Sequence, residues 1–244
     1  TNINLISNVP GATFSWTATA TTITGQAGSV TGSGATSINQ TLILNANQVA
    51  AGQVTYVIVA EANGCLGAPV TVVVTVNPIP NVVVSPTTQT ICSGQTTSIS
   101  FSGAINNTVF TWNVLNSVGV SGAFNGTGNA INQTLTTTGL SQGTVVYEVT
   151  PSLNGCVGTP QIVTVTVNPL PTVNAGPDKQ VCENGTVNIG TAAITGQTYN
   201  WTPSTNLNNA NIASPTVSAV GLTAPTTLQY ILLGQNGFGC QRRD

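Results

Sequence analysis

The chain has 244 residues with Lys+Arg 3, Asp+Glu 5 and no His, so 3% of it is charged, against about 25% in an ordinary soluble domain. With one lysine, Lys179, five carboxylates (Glu61, Glu148, Asp178, Glu183, Asp244) and no imidazole, the usual general acids, bases and metal ligands are scarce, which argues against an enzyme and against any metal or cofactor. A net charge of -2 cannot neutralise a run of phosphates, so nucleic acid is a poor partner, and the apolar residues never run for the roughly 18 positions that a membrane span needs.

Thr 41, Val 30, Asn 27, Gly 26 and Pro 13 dominate the composition. Thr and Val are β-branched and suit pleated strands, whereas Gly, Asn and Pro suit turns. The expected fold class is therefore all-β. At about 100 to 200 residues per domain the length allows two or three domains, and the absence of an initiating Met and of a signal peptide reads as an internal piece of something longer.

The chain repeats itself. Val76-Asn77-Pro78-Ile79-Pro80 returns as Val167-Asn168-Pro169-Leu170-Pro171, and Asn63-Gly64-Cys65 returns as Asn154-Gly155-Cys156, both at an offset of 91. Tyr56 matches Tyr147 at that offset, Ile38-Asn39-Gln40-Thr41-Leu42 matches residues 131–135 at 93, and Trp16 matches Trp112 at 96. After Pro171, Cys182, Trp201, Tyr230 and Cys240 follow in the order of Cys92, Trp112, Tyr147 and Cys156. A unit of about 90 residues is the size of one β-sandwich rather than of a solenoid repeat. The expected domains are 1–80, 81–171 and 172–244, the first incomplete at its N-terminal end and the last at its C-terminal end.

Within the second unit, strands are predicted over 82–84, 97–101, 109–114, 131–137, 144–150 and 161–167. Turns are predicted at Ser85-Pro86, Ser102-Gly103, Gly126-Thr127-Gly128, Thr138-Gly139 and Asn154-Gly155. In 162–167 the valines alternate with threonines, which puts one face in a core and the other in water. Short strands about 10 residues apart, with no helical period, favour tandem antiparallel sandwiches of the immunoglobulin type in an extended array. Each last strand runs into Asn-Pro-x-Pro, where two prolines fix φ near -65° and favour an extended, stiff joint. Modules of roughly 30 to 40 Å in line would make a rod on the order of 100 Å.

Five cysteines are an odd number. Cys92 and Cys156 hold early and late places in the second unit, Cys182 and Cys240 those of the third, and Cys65 the late place of the first. The expected bonds are Cys92–Cys156 and Cys182–Cys240, each closing a loop that corresponds to roughly 4 kcal/mol in the chain-entropy model. Projecting Cys92 back by 96 puts the partner of Cys65 at about position -4, ahead of Thr1. Such bonds imply an oxidising, extracytoplasmic setting. The rival readings are free thiols and a zinc site, for which each unit offers two cysteines and no His.

Phe14 with Trp16, Phe110 with Trp112, and Tyr199 with Trp201 share one side of the equivalent strand in each unit. They read as sandwich core, with a sugar-stacking platform as the alternative. Phe124 and Phe238 sit in loops and are the candidate surface contacts. Asn39, Asn106, Asn125, Asn132, Asn184 and Asn200 match a glycosylation triplet, which a chain this rich in Asn and Thr produces by chance. Asp178, Lys179 and Glu183 form the one charge cluster and read as solvated, since calcium needs more oxygens.

Residues 167–182, then Tyr199, Trp201, Pro203, Ser214-Pro215-Thr216, Tyr230 and Gly239-Cys240, resemble the PKD-like, immunoglobulin-like repeats of large secreted surface proteins of the Bacteroidetes. Thr90-Ile91-Cys92-Ser93-Gly94 and Asn154-Gly155-Cys156 repeat the pattern. The resemblance implies type IX export, attachment at the cell surface and, in gliding members, a filamentous adhesin. The expected function is a non-catalytic stalk segment of an extracellular repeat adhesin or surface filament. Its partners would be neighbouring repeats of the same chain, with surface glycans or other fibres as further ones. The alternatives are a carbohydrate-binding or spacer module, or a subunit that exchanges strands to form filaments.

Overall fold

The structure is a computed structural model that describes residues 1–29, 34–222 and 224–244. Every regular element among the described residues is a β-strand, as the β-branched composition leads one to expect. The first repeat carries β1 (Asn2–Asn4), β2 (Thr13–Ala20), β3 (Ile23–Thr24), β4 (Ser37–Asn39), β5 (Ile43–Leu44), β6 (Gly52–Ala62), β7 (Cys65–Leu66) and β8 (Val70–Val76). The second carries β9 (Val83–Ser85), β10 (Thr88–Cys92), β11 (Ile99–Ser102), β12 (Val109–Val118), β13 (Val120–Ser121), β14 (Gly126–Thr127), β15 (Ala130–Ile131), β16 (Thr136–Thr137), β17 (Gly143–Leu153), β18 (Cys156–Val157) and β19 (Gln161–Asn168). The third carries β20 (Thr186–Asn188), β21 (Thr198–Thr202), β22 (Thr216–Ser218), β23 (Ile231–Gln235) and β24 (Gln241–Arg243).

The chain forms two compact units. Unit 1 comprises Thr1–Val83, Phe101–Thr111 and Val149–Gln161; unit 2 comprises Val84–Ser100, Trp112–Glu148 and Ile162–Asp244. In unit 1, β6 is the spine. It pairs antiparallel with β2 from Thr13↔Glu61 to Ala20↔Val54 and with β8 from Gly52↔Val76 to Ile58↔Val70. Alternation along β6 sends Val54, Tyr56 and Ile58 into a core with Leu5, Phe14, Ile23 and Ile38, since successive side chains of a strand face opposite ways.

In unit 2 the strands β10, β19, β17, β12 and β14 lie in that order in one sheet, and β15, β11 and β9 in another. Val145, Tyr147, Val163, Val165, Val167 and Leu135 are fully buried there. The third repeat contributes β21-β23-β24 and the pair β20-β22, with Trp201 and Leu232 buried.

Several details depart from the sequence expectation, and Gly126-Thr127, expected in a turn, forms β14. The stretch 131–137 breaks into β15, an isolated bridge at Thr134 and β16, because Gln133 turns its amide inward. β10 was not predicted, and it pairs with β19 in parallel, Thr88↔Thr164 through Cys92↔Asn168, unlike the antiparallel pairings of β2, β6 and β8. The hairpins do follow the expected chemistry. Asn63-Gly64 and Asn154-Gly155 all have positive φ (52, 78, 48 and 81°), the two-residue turn that matches strand twist.

The seams are packed rather than free. Pro78, Pro80, Pro169 and Pro171 are buried, whereas Ile79 between the first two is exposed. In unit 1 the side-chain amide of Asn77 donates to the Asn154 carbonyl (3.4 Å). A Cβ at Gly158 would overlap the Pro80 carbonyl oxygen, whereas one at Gly67, the matching glycine of the first repeat, would meet the Ala60 oxygen at 3.3 Å. Gly158→Ala is therefore expected to destabilise the protein by about 1–3 kcal/mol, as overpacking against backbone does, and Gly67→Ala by clearly less. Urea unfolding of the two variants checks the difference; equal effects would remove the tight seam from the account.

Candidate functional site

The cysteines define the site, and the structure corrects their expected pairing. Cys92 is bonded to Cys240 across a sequence separation of 148, whereas Cys65, Cys156 and Cys182 are free thiols. The register explains why Cys92 does not take Cys156. Cys92 stands level with Asn168, the last residue of β19, whereas Cys156 lies opposite Leu153 in the hairpin that leads into the start of β19. An eight-residue strand rises over 20 Å, and bridged cysteines need Cα atoms within about 7 Å. Cys240 is taken instead by Cys92 at the seam, which leaves Cys182 free. Cys240 is buried, and Cys182 is exposed.

The bond therefore joins the early strand of the second repeat to the hairpin of the third. Further hydrogen bonds involve Asn236 of that hairpin, and the first of them reaches the seam. The side-chain amide of Asn236 donates to the Pro169 carbonyl at 2.7 Å, its Oδ1 accepts from the backbone of Phe238 and Cys240, both at 3.1 Å, and the Asn236 N–H donates to the Cys240 carbonyl at 3.1 Å. Asn-Pro supplies an acceptor that no strand uses, and a turn asparagine satisfies it.

Behind this lies a polar clamp that sequence reasoning missed. The Gln133 amide closes a ring on the backbone of Phe124: it accepts from the Phe124 N–H at 3.1 Å and donates to the Phe124 carbonyl at 2.7 Å. Trp112 Nε1 donates to the same carbonyl at 3.1 Å, and the Tyr147 hydroxyl donates to Gln133 Oε1 at 2.8 Å. Burial pushes the Tyr147 phenol up to about 12, so it remains a donor at any physiological pH. The first repeat builds the same clamp from Gln40, Ala27, Trp16 and Tyr56. In the third, Trp201 Nε1 still donates to a loop carbonyl, that of Ile212, at 2.9 Å, without a glutamine. The recurrence of Asn-Gln-Thr was the signal; it also fits a glycosylation triplet, which hid the glutamine's role.

The clamp fixes the Phe124 backbone and leaves its ring 60% exposed; Phe238, on the hairpin of the cross-link, is 54% exposed. Of the strand aromatics, Phe14, Phe110, Trp112 and Trp201 are buried, whereas Trp16 and Tyr199 are only half-buried. Asp178, Lys179 and Glu183 are exposed, and no cluster of three or more metal-ligating side chains occurs among the described residues. An open cavity of about 1150 Å³ in unit 2 is bordered by Asp178, Val181, Trp201, Leu228 and Tyr230. No helix is long and apolar enough to cross a membrane.

A PKD-like domain family matches residues 1–80 and again 89–171. The chain belongs to that family. No curated protein matches it. Among solved structures it is similar to SGBP-B of the Bacteroides ovatus mixed-linkage glucan utilization locus, in complex with a mixed-linkage heptasaccharide, at 16% identity and TM-score 0.26, covering 68% of this chain and 46% of that one. It is similar to immunoglobulin domains 1–4 of Sidekick-1 at 12% identity and TM-score 0.31, covering 100% and 69%. It is similar to fibronectin(III)-like modules of Clostridium thermocellum CbhA at 15% identity and TM-score 0.28, covering 69% and 86%. The chain spans less than half the length of the B. ovatus protein.

Two outcomes follow from the site. Gln133→Ala strands the Phe124 N–H and the Tyr147 hydroxyl and should cost about 3 kcal/mol, whereas Phe124→Ala removes an exposed ring and should stay within about 0.5 kcal/mol; denaturant titration distinguishes them. Pulled from its ends, the oxidised chain should hide the stretch spanned by the Cys92–Cys240 separation of 148 residues. At about 3.5 Å each, its fully unfolded length should be roughly 500 Å shorter than after reduction. Equal lengths would refute the cross-link.

Proposed function

We propose that this chain is a non-catalytic stalk segment of a large extracellular repeat protein, an adhesin or surface filament of the gliding, type IX secreted kind that its repeats resemble. The divisions 1–80, 81–171 and 172–244 are then successive sandwiches. The observation that carries this reading is the Cys92–Cys240 bond, because a covalent tie from one repeat's early strand to the next repeat's hairpin lets tension bypass the seam. A disulfide of this kind also favours an oxidising setting outside the cytoplasm. The family supplies the module, and the low charge of the surface leaves little long-range repulsion between neighbouring fibres. Phe124 and Phe238, both exposed, are the side chains through which such a stalk would touch a glycan or another fibre.

Electron microscopy of the purified, oxidised chain tests the reading. Isolated rods on the order of 100 Å are expected from three modules in line. Compact globules would overturn it, and filaments many times that length would replace it with strand exchange between copies.

A further inference from the structure

The strand β8 is self-complementary in sequence and lies at a sheet edge. It pairs with β6 on one side, and among the described residues no strand lies on the other. Val70-Thr71-Val72-Val73-Val74-Thr75-Val76 reads the same in both directions about Val73. The matching stretch of the second repeat, Gln161-Ile162-Val163-Thr164-Val165-Thr166-Val167, lacks that symmetry, so the palindrome is not a property of the repeat. Sheet edges are ordinarily blunted by a lysine, a proline or a bulge. β8 has none of these: no charged residue falls between Glu61 and Glu148, Pro69 and Pro78 lie outside the strand, and its register on β6 is unbroken. Val72, Val74 and Val76 pack on the core only half-buried, whereas their counterparts Val163, Val165 and Val167, on the strand that β10 covers, are fully buried. On the other face Thr71, Val73 and Thr75 are exposed.

We propose that β8 is a docking edge for a second copy of this chain, pairing antiparallel with the β8 of that copy about a two-fold axis at Val73. The inference goes beyond the stalk reading and does not rest on it. The backbone polarity fits. On β19 the Thr164 N–H faces the outer edge, where it donates to the Thr87 carbonyl at 3.0 Å. Its counterpart on β8 is Val73, so the N–H and C=O of Thr71, Val73 and Thr75 face the open edge, because these groups alternate sides along a strand. Pairing about Val73 sets Thr71 opposite Thr75 of the second copy, Val73 opposite its twin, and Thr75 opposite Thr71. Every open N–H then meets an open carbonyl. The side chains match as well. Val72 meets Val74 on the core face and Val73 meets Val73 on the outer one, β-branched pairs that suit cross-strand neighbours, with no charge to oppose its like. A two-fold contact uses the same edge of both copies, so association closes at two. A strand of 7 residues is roughly 24 Å long, too narrow to bury the ~1,200 Å² at which stable interfaces begin. The dimer is therefore weak and forms in the micromolar range or above.

The test uses the full oxidised chain with Cys65, Cys156 and Cys182 alkylated, so that no disulfide between copies contributes. Sedimentation velocity from about 1 μM to about 1 mM should show a monomer giving way to a dimer and to nothing larger. Val73 is 52% exposed, so its substitution leaves the core intact. Val73→Lys sets two cations against each other on the axis, and Val73→Glu two carboxylates. Each variant alone should stay monomeric throughout, whereas an equimolar mixture of the two should dimerise again. Hydrogen exchange reads the register: at the high concentration the amides of Thr71, Val73 and Thr75 should exchange at least tenfold more slowly than at the low one, and those of Val72 and Val74, which face β6, should not change. A monomer at every concentration, filaments, a dimer indifferent to Val73→Lys, a mixture that stays monomeric, or unchanged exchange at Thr71, Val73 and Thr75 overturns the proposal. The stalk reading fails separately, because electron microscopy views the chain at nanomolar concentrations, where this pair is dissociated.

Discussion

The constraint on which the structure depends is the fate of the polar backbone at each Asn-Pro-x-Pro seam. Proline removes an N–H and fixes φ, so the last strand of a repeat cannot continue its ladder, yet its carbonyls still need donors. The prolines here are buried, which makes water a poor substitute. A side-chain amide supplies the donor at the second seam, where Asn236 serves Pro169; at the first the bond runs the other way, and the seam residue Asn77 serves the hairpin carbonyl of Asn154. Once a hairpin turn must sit on the seam to satisfy it, the joint is set in place by hydrogen-bond accounting as well as by proline stiffness. The cysteine of that hairpin then stands where only the early strand beyond the seam can reach it.

A chain with 3% charged residues has to build specificity without ion pairs, and it does so with neutral amides and hydroxyls. Gln133 is 2% exposed and is held on every side: its N–H donates to the Thr97 hydroxyl, which itself donates to the Ile131 carbonyl, while its amide grips Phe124 and takes the Tyr147 hydroxyl. A neutral amide offers two donors and an acceptor at far lower desolvation cost than a buried charge. A fully satisfied network of this kind fixes one loop conformation, which explains how the loop before β14 presents an exposed aromatic ring from an otherwise rigid scaffold.

Much of this was legible in the residues. Valine alternation in 162–167, the Asn-Gly hairpins and the matched tryptophans identify the strands, turns and core, because each is a local signal with a local cause. β10 was not legible. Thr88, Gln89 and Thr90 carry no apolar alternation, and their place is set by a parallel partner more than 70 residues away. The inward turn of Gln133 was masked by an apparently regular strand over 131–137. The cysteine pairing failed for a different reason: matched positions in repeats reveal which cysteines are equivalent, but equivalence says nothing about which copy supplies the partner. Only the register of β10 on β19, which ends Cys92 beside Asn168, resolves that.

The distinction matters for mechanics. A bond between early and late cysteines of one repeat would shorten how far that repeat can unravel while leaving the seam to its hydrogen bonds, each worth roughly 1 kcal/mol. A bond from Cys92 to Cys240 instead shunts load around the seam, where the Asn236 amide holds the hairpin to the Pro169 carbonyl. It also makes the hairpin of one repeat part of the closure of its predecessor, so neither the strand end at Asn168 nor the turn at Asn236 can loosen without the other. Independent beads would be weakest at their joints; here the covalent chemistry is spent at the joint, and the sandwich interiors rely on apolar packing and on the neutral clamp around Gln133.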